Sequence, residues 1–141
     1  MTEPRQLNVS ARIENLRKIV SFVITAARDA GADLSAQHDI RLAVDEVCTN
    51  IIEHGYRGVA GPIAIEVSVV DNALHIRIAD EAPRFDPRTL STPDLGCPQG
   101  ERALGKLGWH LTRSVMDEVH HASEGERGNV VTLVKTLTRK H

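Results

Sequence analysis

The 141 residues suffice for one domain with its own core and are too few for two comfortable ones. Apolar residues make up 41 % and charged residues 26 % of the chain, and 17 basic against 19 acidic side chains leave a net charge of −2. That balance excludes the basic footprint of a nucleic-acid binder, and no apolar run approaches the roughly 18 residues of a membrane-spanning helix. Met1 to Ser10 holds no apolar signal segment, and Cys48 and Cys97 lack any paired spacing, which fits a reducing cytoplasm. With one Trp, one Tyr and two Phe, the core is expected to be aliphatic.

Gln6 to Val9 reads as a short edge strand. From Ser10 to Ala30, Ile13, Leu16, Ile19, Val20, Val23, Ile24 and Ala27 recur at helical spacing. Ser10 is the expected N-cap, and Gly31 suits the left-handed residue that ends a helix. A second helix is expected from Ser35 to His54, stapled by Leu34, with Ile40, Ala43, Val44, Val47, Cys48 and Ile51 facing inward. Gly61-Pro62 then breaks the chain. Ile63, Ile65, Val67 and Val69 alternate, Asp71-Asn72 turns, and Leu74, Ile76 and Ile78 alternate again, an antiparallel hairpin ending at Asp80.

From Glu81 to Gly108 the periodicity disappears among Pro83, Pro87, Pro93, Pro98 and four glycines, as expected of a functional lid. Trp109 to Asp117 returns to helical spacing. Val119–Ser123 and Val130–Leu137 then read as a second hairpin. Helices segregated from mostly antiparallel strands predict a single α+β domain over 1–141, a two-layer sandwich.

Three groups of residues carry candidate chemistry. Glu46, Asn50 and His54 are spaced by four on the second helix, bordering its apolar face. This spacing suits a solvated flank, and it also suits a carboxylate base one turn from an amide oxygen that can ligate Mg²⁺. Asp80 ends a strand, where an acid either bonds nearby backbone or accepts from an exocyclic amine such as that of adenine. Gly100, Gly105 and Gly108 precede a helix, a setting in which backbone N–H groups approach an anion, and Arg102 and Lys106 add positive charge there. The seven histidines form no ligand set: adjacent His120 and His121 point to opposite faces of a strand.

Taken together, three blocks resemble a known family. Leu42 to Tyr56 (LAVDEVCTNIIEHGY) resembles the N-box of histidine-kinase-like ATPases, and its His-Gly-Tyr ending is similar to the anti-sigma factor serine kinases of bacterial partner-switching systems. Asp80 to Pro87 (DEAPRFDP) resembles their G1 box, and Gly105 to Leu111 with Met116-Asp117-Glu118-Val119 resembles the G2 box and the segment after it. The resemblance spans nearly the whole chain and implies a Bergerat-type ATP-binding fold, with helices on one face of a mixed, mostly antiparallel sheet. It implies a Mg-ATP-dependent kinase that phosphorylates a serine on an anti-anti-sigma protein and otherwise sequesters a sigma factor, with a homodimer common. By motif position, Glu46 would activate the acceptor hydroxyl, Asn50 would ligate Mg²⁺ and Asp80 would read the adenine amine. His54 and Tyr56 would flank the nucleotide, while Gly105 and Gly108, with Arg102 and Lys106, would meet the phosphates. Two positions depart from the family pattern: Ala82 replaces a G1 glycine, and Lys106 stands where the second glycine of the G2 Gly-x-Gly is expected. A nucleotide- or partner-binding module that transfers no phosphate is the alternative reading. An ATPase passing phosphate to water, or a homologue aimed at another target, would share the same blocks.

Overall fold

The computed structural model describes residues 4–56, 61–83, 110–123 and 127–137. Strand β1 (Arg5–Ser10) alternates half-buried and exposed residues and pairs antiparallel with β2 (Pro62–Val70), placing Leu7 opposite Ile65 and Val9 opposite Ile63. Ser10 is therefore the last residue of a strand and caps no helix. The Ala11 amide extends the pairing to the Gly61 carbonyl at 2.7 Å, and a 3₁₀ turn over Ile13–Asn15 redirects the chain. Asn15, at the N-cap of α1 (Leu16–Asp29), donates its amide to the Ser10 carbonyl at 2.9 Å, so it closes this turn instead of capping the helix.

Helix α1 ends as its sequence predicts. Gly31 is left-handed (φ +98°), the Gly31 amide donates to Arg28 O and the Ala32 amide to Ala27 O, each at 3.0 Å. This pair of bonds is a Schellman cap. Helix α2 (Leu34–Asn50) begins one residue before the predicted start: the Asp33 carboxylate accepts from the Ala36 amide at 2.8 Å and is the N-cap. Leu34 is 82 % exposed and staples nothing. The predicted continuation to His54 is also corrected, because Ile51–Gly55 forms a π-turn closed by the Tyr56 amide on the Ile51 carbonyl at 2.9 Å.

Strands β2 and β3 (Ala73–Pro83) form the predicted hairpin, with Asp71 and Asn72 both left-handed (φ 50° and 62°), the two-residue turn that matches strand twist. Asn72 also donates its side-chain amide to the Leu137 carbonyl at 2.5 Å and accepts the Leu137 amide at 2.8 Å, pinning the end of β5 (Arg127–Thr136). Strand β3 runs three residues past Asp80, with a register shift against β5 between Asp80 and Pro83. The predicted loop thus begins inside a strand, and its residues 84–108 lie outside the described residues. Residues 110–115 are helical (α3), and β4 (Glu118–Ser123) pairs with β5, which starts at Arg127, three residues earlier than the alternation predicts.

The sheet order is β1-β2-β3-β5-β4, and every pairing is antiparallel, so the expected mixed sheet is corrected to an antiparallel one among the described residues. Ile63, Ile65, Leu74, Ile76, Ile78 and Leu133 point to one face and are buried with Ile19, Val23, Ile40 and Val44 of the two helices. The fold is the predicted two-layer α+β sandwich with an aliphatic core. Fully burying such a side chain stabilises a fold by about 1.5–3 kcal/mol relative to its exposed state.

Candidate functional site

The site is built where the end of β3 meets β5 and the C-terminal end of α2. Asp80 is the last β3 residue paired with β2, opposite Ile63, and faces Asn129 of β5. It is buried, 7 % exposed. Its Oδ1 accepts the Ala82 amide at 2.9 Å and the Asn129 side-chain amide at 3.0 Å. Burial pushes the Asp80 carboxyl above its ordinary range, while the bonds from Asn129 and Ala82 and the charge of His121 hold it back. Ala82, the departure from glycine, turns its methyl into the core, where it is 1 % exposed.

Tyr56 closes the π-turn and reaches across to the sheet. Its hydroxyl donates to the Pro62 carbonyl and accepts from the Glu81 amide, each at 2.7 Å. The ring lies flat against Gly61: a Cβ there would stand 2.1 Å from Tyr56 Cε1. Only glycine admits this approach. Tyr56 is buried, whereas His54, one wide turn after Asn50, is exposed and follows no straight α-helical stripe from Glu46.

Glu46 and Asn50 lie one α-helical turn apart on the half-buried flank of α2, as their spacing predicts. Partial burial raises the Glu46 carboxyl above its ordinary range, and the charges of Asp45 and Glu53 push it the same way. A carboxylate with raised pKa is a better proton acceptor. Cys48, on the inward side of the same helix, is fully buried, and its thiol is pushed up to about 12 by burial and by the charges of Asp45 and Asp80. It is an inert core residue, and the π-turn that follows α2 lies against β3.

Lys135 of β5 ties α3 to this layer. Its Nζ donates to Asp39 of α2 at 2.9 Å and to the Val115 carbonyl at the end of α3 at 2.5 Å. Arg102, Gly105, Lys106 and Gly108 lie outside the described residues.

The arrangement thus joins Asp80, Asn129, Tyr56 and Glu81 at the sheet end and keeps Glu46 and Asn50 on the helix flank. Asn129 was not singled out by its sequence, and its only signal is an amide between Gly128 and the aliphatic pair Val130-Val131. Among the described residues no group of three His, Cys, Asp or Glu side chains gathers as a metal cage. Mg²⁺ is usually held by one or two protein oxygens together with substrate phosphates, and the side-chain oxygen of half-buried Asn50 has that chemistry. A buried carboxylate at a strand end likewise fits an adenine amine as its donor.

The described architecture is a helical layer on an antiparallel sheet, with a buried acid at a strand end and a Glu/Asn pair on the flank of a helix. The chain belongs to the histidine kinase-like ATPase domain family, whose model matches residues 9–135. It is 27 % identical over 142 residues to serine-protein kinases RsbW of Bacillus thuringiensis (strain Al Hakam) and Bacillus anthracis, covering 98 % of this chain and 88 % of each relative. Among solved structures, the RsbU and RsbW domains of Rv1364c from Mycobacterium tuberculosis align at a TM-score of 0.71 and 22 % identity, over 99 % of this chain, which spans 34 % of that one. The Acinetobacter baumannii histidine kinase AdeS aligns at 0.54 and 15 % identity, over 96 % of this chain and 70 % of its own. No described helix is long and apolar enough to cross a membrane.

Proposed function

We propose that this protein is a Mg-ATP-dependent serine kinase of the partner-switching type, which phosphorylates a serine on an anti-anti-sigma protein and otherwise holds a sigma factor in the cytoplasm. The observation that carries the reading is a buried acid, Asp80, at a strand end that Tyr56 ties, through the Glu81 amide, to the turn following α2, the helix whose flank carries Glu46 and Asn50. Similarity to the RsbW serine-protein kinases supports the same reading.

Asp80 accepts the adenine amine through its carboxylate. The Asn50 side-chain oxygen would hold Mg²⁺, which would supply charge neutralisation at the transferring phosphoryl group. Glu46 would take the proton of the acceptor serine hydroxyl as the serine oxygen bonds to the γ-phosphorus and the bond from that phosphorus to the bridging oxygen breaks, releasing ADP; the raised affinity of this carboxyl for protons favours the step. His54 and Tyr56 border the nucleotide, and Arg102, Gly105, Lys106 and Gly108 meet its phosphates. Phosphoryl transfer depends mostly on positioning and charge neutralisation, so this small set is chemically sufficient.

The test is transfer of γ-labelled phosphate from Mg-ATP to a purified anti-anti-sigma protein and to its Ser→Ala variant. Label on the first and none on the second is expected. Release of label as inorganic phosphate with neither protein labelled would contradict the kinase reading and favour an ATPase.

A further inference from the structure

We infer that Tyr56 is a positioning residue for purine selection, a wedge that sets the end of β3 so that Asp80 discriminates adenine from guanine nucleotides. This rests on the proposal that Asp80 reads the adenine amine. The β2–β3 ladder ends at the pair Ile63 and Asp80, and the next facing pair is Pro62 and Glu81. There the direct backbone bond is replaced by the phenol, which receives the Glu81 amide and passes a bond to the Pro62 carbonyl, each at 2.7 Å. On the other side, β3 and β5 shift register between Asp80 and Pro83. Asp80 is therefore the last regularly paired residue before a strand end opened on both sides, and the hydroxyl holds one of those openings at a fixed width.

Removing only the hydroxyl leaves two outcomes for the backbone. Either Glu81 and Pro62 close on each other and carry Asp80 with them, or the Glu81 amide loses this acceptor and the strand end loosens. Both change where the Asp80 carboxylate stands. Base choice depends on that position, because adenine presents an amine donor to a carboxylate where guanine presents a carbonyl that repels it. Gly61 is the second half of the device, since the ring reaches this position only across a residue without a Cβ.

The test is titration calorimetry of ATP and GTP on the wild type, Tyr56→Phe, Asp80→Asn and the double variant. The expected result is a wild type that prefers ATP, and a Tyr56→Phe protein whose ATP affinity falls about tenfold with GTP affinity unchanged, the scale of one lost hydrogen bond at a polar recognition site. In the Asp80→Asn background, Tyr56→Phe should leave the ATP-to-GTP ratio unaltered. Equal losses for both nucleotides, or a lower melting temperature with an unchanged ratio, would overturn the inference while leaving the nucleotide site standing. Wild type that binds no ATP would overturn the functional reading and this inference together. Gly61→Ala provides a second variant that keeps the hydroxyl but displaces the ring, and the same loss of ATP preference is expected. An unchanged preference there would overturn the wedge.

Discussion

Asn129 donates its side-chain amide to Oδ1 of Asp80 over 3.0 Å, from β5 to β3, with both residues buried. This bond ties the acid to a fixed orientation and offsets part of the cost of burying it. Asn129→Ala removes this side-chain donor and leaves the buried carboxylate with the Ala82 amide. We expect a loss of about 1–3 kcal/mol in denaturant unfolding, the cost of breaking a buried hydrogen bond to a charged group, together with weaker ATP binding. Unfolding and ATP affinity both equal to wild type would show that the bond organises nothing.

Asp80 makes stability depend on pH in a defined direction. Its folded-state carboxyl binds a proton more tightly than the ordinary value of 3.8, chiefly because of burial. Its contribution therefore favours the fold below 3.8 and is lost as pH rises through the raised folded value. Asp80→Asn should remove this slope, so that wild type loses stability relative to the variant as pH rises through that window. ATP binding should run the opposite way in the wild type, weakening on acidification as the carboxylate gains its proton. Parallel profiles for the two proteins would contradict the burial of a titrating acid here.

Glu46→Gln keeps the shape of the side chain and deletes the base. Serine phosphorylation should fall about 10²–10⁴-fold, the usual contribution of general base catalysis, while ATP affinity holds. The wild-type rate should fall on the acid side with a midpoint above the ordinary glutamate value of 4.5, since burial and the neighbouring charges of Asp45 and Glu53 all raise it. A variant that transfers phosphate normally would remove Glu46 from the chemistry.

Lys135 spans three elements, from Asp39 on α2 to the last carbonyls of α3. Its side chain is 15 % exposed and that of Asp39 26 %, so the pair is screened less than a surface ion pair. Lys135→Met should cost about 1–3 kcal/mol, because Asp39 is left partly buried without its cation. Asp39→Asn should cost less, since Lys135 keeps the Val115 carbonyl. The comparison is by chemical denaturation of the two variants and their double, and additive losses would deny the coupling.

The strands were legible because one face of the sheet is buried, so Ile63, Ile65 and Val67, then Leu74, Ile76 and Ile78, had to alternate. Gly31 was legible for a similar reason: the helix end needs a positive φ. Helix starts were less so. Ser10 and Ser35 have capping chemistry, yet Ser10 is consumed by pairing with β2, and Ser35 lies one residue inside α2, whose cap is Asp33. The π-turn leaves no periodic trace, since Ile51 and Ile52 are buried in it much as helix residues would be. Glu46, Asn50 and Asp80 announced themselves through motif spacing. The partners that orient Asp80 did not, because Asn129 is distant in sequence and meets it only through the β3–β5 register, and Tyr56 acts through a single hydroxyl on two backbone groups.

The most direct measurement is the calorimetric titration of ATP with and without Mg²⁺ on the wild type and on Asn50→Ala. The account predicts tighter binding with Mg²⁺ for the wild type and loss of that Mg²⁺ dependence in the variant, with metal-free binding retained. Equal losses with and without Mg²⁺ would contradict the metal role of Asn50. Wild type that binds no ATP at millimolar concentration would contradict the nucleotide site altogether.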